Sequence, residues 1–214
     1  MENSEFVHQL DAIQDAANLV LRPLGFRKRG RSHNRITPQG LVQVVNFQMG
    51  EYPIGNYVIP GIRESSYGTF VVNLGVLLPC IYRLYKFPMP KTVRDGHCSI
   101  RSRLHHENGN EWFSFTNDTV ATPANIVGLL RQEGIPFLFQ FESYNDVISY
   151  FSTHGALPDQ NRGRSCLEAA VVSRELGDID ASNRLFEQAH HDSNHKDFQS
   201  YVVEVAARFG FVVS

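Results

Sequence analysis

No stretch of this chain approaches the ~20 consecutive apolar residues of a membrane span, and the opening Met1-Glu-Asn-Ser-Glu5 is acidic where a secretory signal would be basic. The expectation is a cytoplasmic protein with no membrane role. Cysteine is scarce. Cys80, Cys98 and Cys166 are an odd, scattered set that cannot close a disulfide framework, which suits reduced thiols. A dominant charge is missing too. The net charge of −2 announces no nucleic-acid binder, so nucleic acid is not an expected partner. Also absent are a Gly-x-Ser-x-Gly elbow, a P-loop, a His-Glu-x-x-His pair and a dinucleotide fingerprint. These absences weigh against hydrolytic or nucleotide-driven catalysis, and no cofactor is expected. The sequence names no reaction.

What is present suits a sheet domain followed by helices. Phe6, Leu10, Ile13, Ala17, Val20 and Leu21 recur at helical spacing after a candidate cap at Ser4, and Pro23 and Gly25 close that helix. A basic run, Gly25 to Arg35, leads into a predicted hairpin of Arg31–Ile36 and Leu41–Met49 around the turn Thr37-Pro-Gln-Gly40. Residues 50–68 read as a long loop. Phe70–Leu78 is a strand, and Pro79–Gly96 reads as irregular with exposed aromatics (Tyr82, Tyr85, Phe87). Cys98–Leu104 and Glu111–Phe115 are further strands. Thr122-Pro123 starts a helix that Gly134 is expected to stop, Ile135–Phe141 reads as a link, and Ser143 caps a helix ending before Gly155. The predicted class is α+β: an antiparallel sheet of about four or five strands with helices on one face. It spans residues 1–155. After a linker at 156–163, residues 164–214 form a C-terminal helical appendage docked on it. Charge divides similarly: residues 1–141 hold 14 Lys/Arg against 11 Asp/Glu, and residues 142–214 hold 6 against 11.

Two strands carry amides where core residues belong. Asn46 and Gln48 share a face with Val42 and Val44, and Asn73 shares one with Val71 and Gly75. A buried amide without partners costs ~1–3 kcal/mol, so these amides imply a satisfied network or a polar working surface. Arg35, Asn46, Gln48, Asn73, Arg101 and Arg103 are expected on one side of the sheet, with Arg31 and His33 beside Arg35. Val45, Phe47, Phe70, Val72, Leu74, Ile100 and Leu104 are expected on the other, under the helices. Arginine forks with amides suit a carboxylate, a phosphate or a planar base. The plainer alternatives are a face that is polar because water covers it, and arginines that only pair with Glu51, Glu64 or Glu111.

Other constellations say less. His191 and His195 would be i and i+4 on a continuing helix, but Asp192-Ser-Asn194 breaks it, so no metal is expected. His97 and Cys98 are neighbours whose side chains leave a strand on opposite faces, so they do not form a base–nucleophile pair.

Gly25-Phe-Arg-Lys-Arg-Gly30, Val44-Val-Asn-Phe-Gln48, Phe70-Val-Val-Asn-Leu-Gly75, Cys98-Ser-Ile-Arg-Ser-Arg-Leu104 and Trp112 together resemble an uncharacterised bacterial family, domain of unknown function 4304, over roughly residues 5–153. The resemblance implies a bacterial, non-secreted protein and brings no established reaction. Outside it, Ala170, the Gly177-Asp178 turn, Ser182, Phe186 and Ala189 resemble one tetratricopeptide repeat, which cannot bury its own face alone. The functional expectation is a non-enzymatic binding module with a protein partner, of the immunity or antitoxin kind. The alternative is an enzyme or sensor that binds a phosphate-bearing small molecule or nucleotide at the same face, with Arg31, His33, Arg35, Arg101 and Arg103 on the anion.

Overall fold

Apolar side chains at alternate positions give Val45–Met49 and Phe70–Leu78 one economical arrangement, paired with both apolar sets turned toward helices. The computed structural model, which describes residues 5–50, 68–84, 88–106, 109–115, 121–193 and 195–213, has this arrangement. The sheet is antiparallel in the order β1 (Arg27–Arg29), β2 (Ser32–Ile36), β3 (Val42–Met49), β4 (Thr69–Leu77) and β5 (Ile100–Arg103). A short β6 (Phe113–Ser114) pairs with the start of β4. β1 is the strand the sequence did not announce, because its three basic residues are all exposed and show no alternation. The candidate cap Ser4, the loop 51–67 with Glu51 and Glu64, and the aromatics Tyr85 and Phe87 lie outside the described residues.

Helices cover one face, called here the near face. α1 (Glu5–Leu21) lays Leu10, Ile13, Ala17 and Leu21 inward, a stripe at i, i+3, i+7 and i+11. It packs against α3 (Pro123–Leu129), whose cap Thr122 accepts from Asn125 N at 3.2 Å. Gly134 does not stop this helix. The chain continues through a wide turn at Leu130–Gly134 into α4 (Ile135–Phe139). Two residues explain it. Pro136 has no N–H to give and would crowd a regular helical turn, which an expanded turn relieves. Gly134 brings the helix onto the sheet, since a Cβ there would lie 3.1 Å from Leu104 Cδ2 and 3.5 Å from Leu74 Cδ2. α5 (Tyr144–His154) opens on a capping box, Ser143 with Asp146, and closes at Gly155.

The expected irregular stretch after β4 begins with a short helix, α2 (Pro79–Leu84), and the segment 88–99 then crosses the other, far face. The far face is therefore not wholly open. Val93 and Cys98 bury Val42, Val44 and Leu77 there, and half-buried Tyr82 packs against the same cluster. Asn34 pins the crossing segment, donating to Val93 O and accepting from Val93 N, both at 2.9 Å.

The C-terminal helices are α6 (Arg162–Glu175), α7 (Ile179–His191) and α8 (Lys196–Arg208). α6 starts inside the expected linker because Asn161 caps it, accepting from Arg164 N at 2.9 Å. It is the central helix of this part, buried along Ser165–Ser173 between α7 on one side and α2 and α5 on the other. Its Cys166, Ala169, Ala170 and Val172 continue the apolar core of the near face. Cys80, Cys98 and Cys166 are buried and unpaired. Among the described residues no helix is long and apolar enough to cross a membrane.

Candidate functional site

Antiparallel register decides which side chains share a face. Asn46 sits opposite Ser32 on β2 and Asn73 on β4, and Asn73 sits opposite Arg103 on β5. Opposed residues point the same way, so Ser32, Asn46, Asn73 and Arg103 form one row across four strands of the far face. Gln48 lies beside Asn46 on β3, and Arg101 beside Arg103 on β5.

This row is hydrogen-bonded from end to end. Asn46 Nδ2 donates to Ser32 Oγ at 2.8 Å. Asn73 Nδ2 donates to Gln48 Oε1 at 3.2 Å and to Asn46 Oδ1 at 3.5 Å. Arg103 Nε donates to Asn73 Oδ1 at 3.0 Å, and its Nη1 donates to Glu111 Oε2 at 2.5 Å. Ser32, Asn46 and Asn73 are buried, so the bonds offset their desolvation and fix which amide atoms point outward. Both Arg103 bonds leave a fork that is already oriented.

Two adjoining cavities open over the row. One, of about 990 Å³, lies between β2–β3 and the turn Asp95–His97, with Arg29, Arg31, Ser32, Asn46, Gln48 and Arg94 among its walls. The other, of about 420 Å³, is lined by Asn73, Arg101, Arg103, His105, Glu111 and Asp159. Asp95 borders both, so the two lie side by side along the row and are called here the groove. His97 on its wall accepts at Nδ1 from Arg94 N at 3.0 Å, which places the proton of its neutral ring on Nε2.

Carboxylates already sit on the cations. Glu111 holds Arg103, with His105 Nε2 3.5 Å from its other oxygen, and the Arg103 hydrogen bond holds the Glu111 carboxyl below its usual range. Asp159, from the α5–α6 connection, reaches Arg101 Nη2 at 2.8 Å. It is the only non-glycine residue with positive φ (58°) among those described, a conformation Asp tolerates better than most. Next to it, Gln160 Nε2 donates to Ser99 O at 2.6 Å and to the buried Glu168 at 2.9 Å. Burial raises the Glu168 carboxyl despite Gln160 and Arg164 beside it. The C-terminal helices thus meet the far face through this connection.

Asn46, Gln48, Asn73, Arg101 and Arg103 are together on the far face, as expected from the sequence, but His33 and Arg35 are not. In the β2–β3 register they oppose Val45 and Gln43 and so point to the near face. Arg35 Nη1 donates to Glu142 Oε1 at 2.6 Å and to Gln43 Oε1 at 2.7 Å, and its guanidinium lies 4.8 Å from the Phe139 ring centroid. It clamps the end of α4. His33 is fully buried against Phe47. Arg31 borders the groove, but its guanidinium turns to α1, 3.3 Å from Asp11 and from Gln14 Oε1. Ser32, Asp95 and Asp159 were not foreseen. Parity in a fixed register gives Ser32; nothing local signals Asp159, which arrives from 58 positions beyond Arg101.

The described residues contain no group of three or more His, Cys, Asp or Glu placed to hold a metal. The thiols are not primed as nucleophiles. Burial pushes Cys80 up to about 12 and Cys166 up to about 11, and raises Cys98 as well.

Residues 17–140 match the family model described as a domain of unknown function, DUF4304. The chain belongs to that family. No curated protein and no solved structure matches it. The DUF4304 match holds every described strand and the whole amide row, whereas Glu142 and Asp159, the carboxylates on Arg35 and Arg101, lie beyond its end.

Proposed function

We infer that this DUF4304 protein is a non-enzymatic binding module whose working surface is the far-face groove and whose partner is another protein. The observation that carries this reading is the amide row: an internally bonded Ser32–Asn46–Asn73–Arg103 ladder, buried at its first three members, lying beneath the two cavities. The buried Asn46 and Asn73 are satisfied within the row and fix its outer members, the exposed Gln48 amide and the Arg103 guanidinium, which face the cavities with groups a peptide backbone or side chain can meet. An immunity or antitoxin role, in which the groove closes over another protein, falls within this reading.

The test is reconstitution. A partner purified from the native host should form a stoichiometric complex, weakened at least about tenfold by Asn73→Ala or Arg103→Ala. Absence of any stoichiometric partner sinks the reading. A phosphate-bearing ligand is the second reading, favoured by Arg101, Arg103 and His105 on one small cavity. Asp95, Glu111 and Asp159 line that cavity too, so any anion that enters it, phosphate or carboxylate, must displace carboxylates already on the arginines.

A further inference from the structure

Resting on that reading, we propose that the groove takes a short, extended, acidic segment of the partner, and that Glu111 and Asp159 are internal stand-ins which the segment's carboxylates displace.

Three observations support this. The first is charge. Arg31 aside, since its guanidinium is taken up by Asp11, the two cavities are bordered by four arginines (29, 94, 101 and 103) against three carboxylates (95, 111 and 159), a net positive lining that favours an anionic occupant. The second is exchange chemistry. Arg101 and Arg103 each hold a carboxylate now, at 2.8 and 2.5 Å, and both pairs are about half exposed. Such pairs contribute little to stability, so an incoming carboxylate replaces like with like at small cost. The third is dimension. The row crosses three inter-strand spacings, about 15 Å, which four or five extended residues span.

The floor also selects the class of polymer. Single-stranded nucleic acid is gripped by stacking its bases on aromatic faces. Here the floor is amide and guanidinium, and the Phe47 side chain points to the opposite face. The described lining turns no Phe, Tyr or Trp ring to the groove; the aromatic rings it presents are the imidazoles of His97 and His105.

The experiment titrates an octapeptide of alternating Glu and Ser into the nitrogen-15-labelled full chain. It reads the side-chain amides of Asn46, Gln48 and Asn73, and the fluorescence of Trp112, the only tryptophan and the neighbour of Glu111. Saturable shifts at these amides at millimolar peptide are expected, absent with a Gln–Ser control. The Glu111→Gln/Asp159→Asn variant should bind about five- to tenfold more tightly, because the internal competitors are gone. Asn at 159 tolerates the left-handed backbone, so the fold is kept, as circular dichroism will verify. Arg101→Ala/Arg103→Ala should abolish the shifts. Unchanged affinity in the Gln/Asn variant overturns the proposal. So does tighter binding of oligothymidylate of equal charge, which would make the ligand a nucleic acid, or of pyrophosphate, which would make it a phosphate. A reconstituted partner that is lost on Asn73→Ala but indifferent to Glu111→Gln/Asp159→Asn leaves the binding module standing and removes only the acidic segment.

Discussion

Arg103 Nε donates to Asn73 Oδ1 at 3.0 Å, so a partly exposed arginine on β5 is aimed by a buried amide on β4. Asn73 in turn spends its own N–H groups on Gln48 and Asn46. Asn73→Ala therefore strands an acceptor on each of two neighbours and a donor on a third. Urea denaturation should show a loss of about 1–3 kcal/mol, with m unchanged. A loss below about 0.5 kcal/mol would mean that water replaces the amide freely and that the row is not a unit.

Gly75 and Cys98 form a second dependent pair. Gly75 lies on the far face opposite Arg101, and a Cβ built on it would lie 2.6 Å from Cys98 Sγ and 2.9 Å from Cys98 Cβ. Neither atom is the end of a long side chain that could swing away. Gly75→Ala should cost about 1–3 kcal/mol by overpacking. Cys98→Gly, which removes both blocking atoms, should recover part of that cost in the double variant. A double-mutant cycle whose two effects simply add would refute the steric coupling.

Much of the fold was legible because the sheet is patterned on both sides. Alternation at Val45–Met49 and Phe70–Leu78 placed the helices, and the parity of Asn46, Asn73, Arg101 and Arg103 placed the row. Parity within a strand is local, but parity between strands needs the register, and the β2–β3 register sends odd-numbered β2 residues to the near face. That is why Arg35 and His33 were read onto the wrong side. Gly134 misled for another reason: its role is close approach to Leu104, which no local pattern reveals.

Gln43, the buried amide that drew no notice in the sequence, yields a prediction where Arg35 was misplaced. Its Nε2 donates to Leu138 O at 2.7 Å, which also accepts from Phe141 N at 3.1 Å, and to Phe141 O at 3.2 Å, so it ties the end of α4 to β3. Gln43→Leu keeps the volume and removes both bonds as well as the acceptor of Arg35. A loss of about 2–3 kcal/mol is expected by thermal or urea unfolding. Amide exchange should quicken first over residues 138–142, ahead of α1. Uniform acceleration would show that the clamp is not local.

His33 sets the response to acid. It is fully buried on the near face, neither ring nitrogen has a partner among the described residues, and its pKa falls to about 4. Burial is the main cause; Lys28 lowers the value further, and Asp15, which pairs with Lys28 at 2.7 Å, opposes it. Above the unfolded value of 6.5 the ring is neutral in both states and stability is unaffected by its titration. Below 6.5 the unfolded chain binds a proton that the folded chain refuses, so stability falls with pH until about 4. The slope is about 1.4 kcal/mol per pH unit, and the total loss about 3 kcal/mol. Other groups titrate in the same range. The lowered Glu111 also loses stability as pH falls, while the raised Glu168 gains it, so wild type alone does not isolate the ring. The informative quantity is the stability of wild type minus that of His33→Leu. At pH 7.5 the variant should be equal or more stable, since it removes two buried nitrogens without partners. By pH 4.5 it should exceed wild type by about 2–3 kcal/mol more than at pH 7.5. A difference that stays flat across that interval would mean that the ring is solvated or partnered in the folded protein.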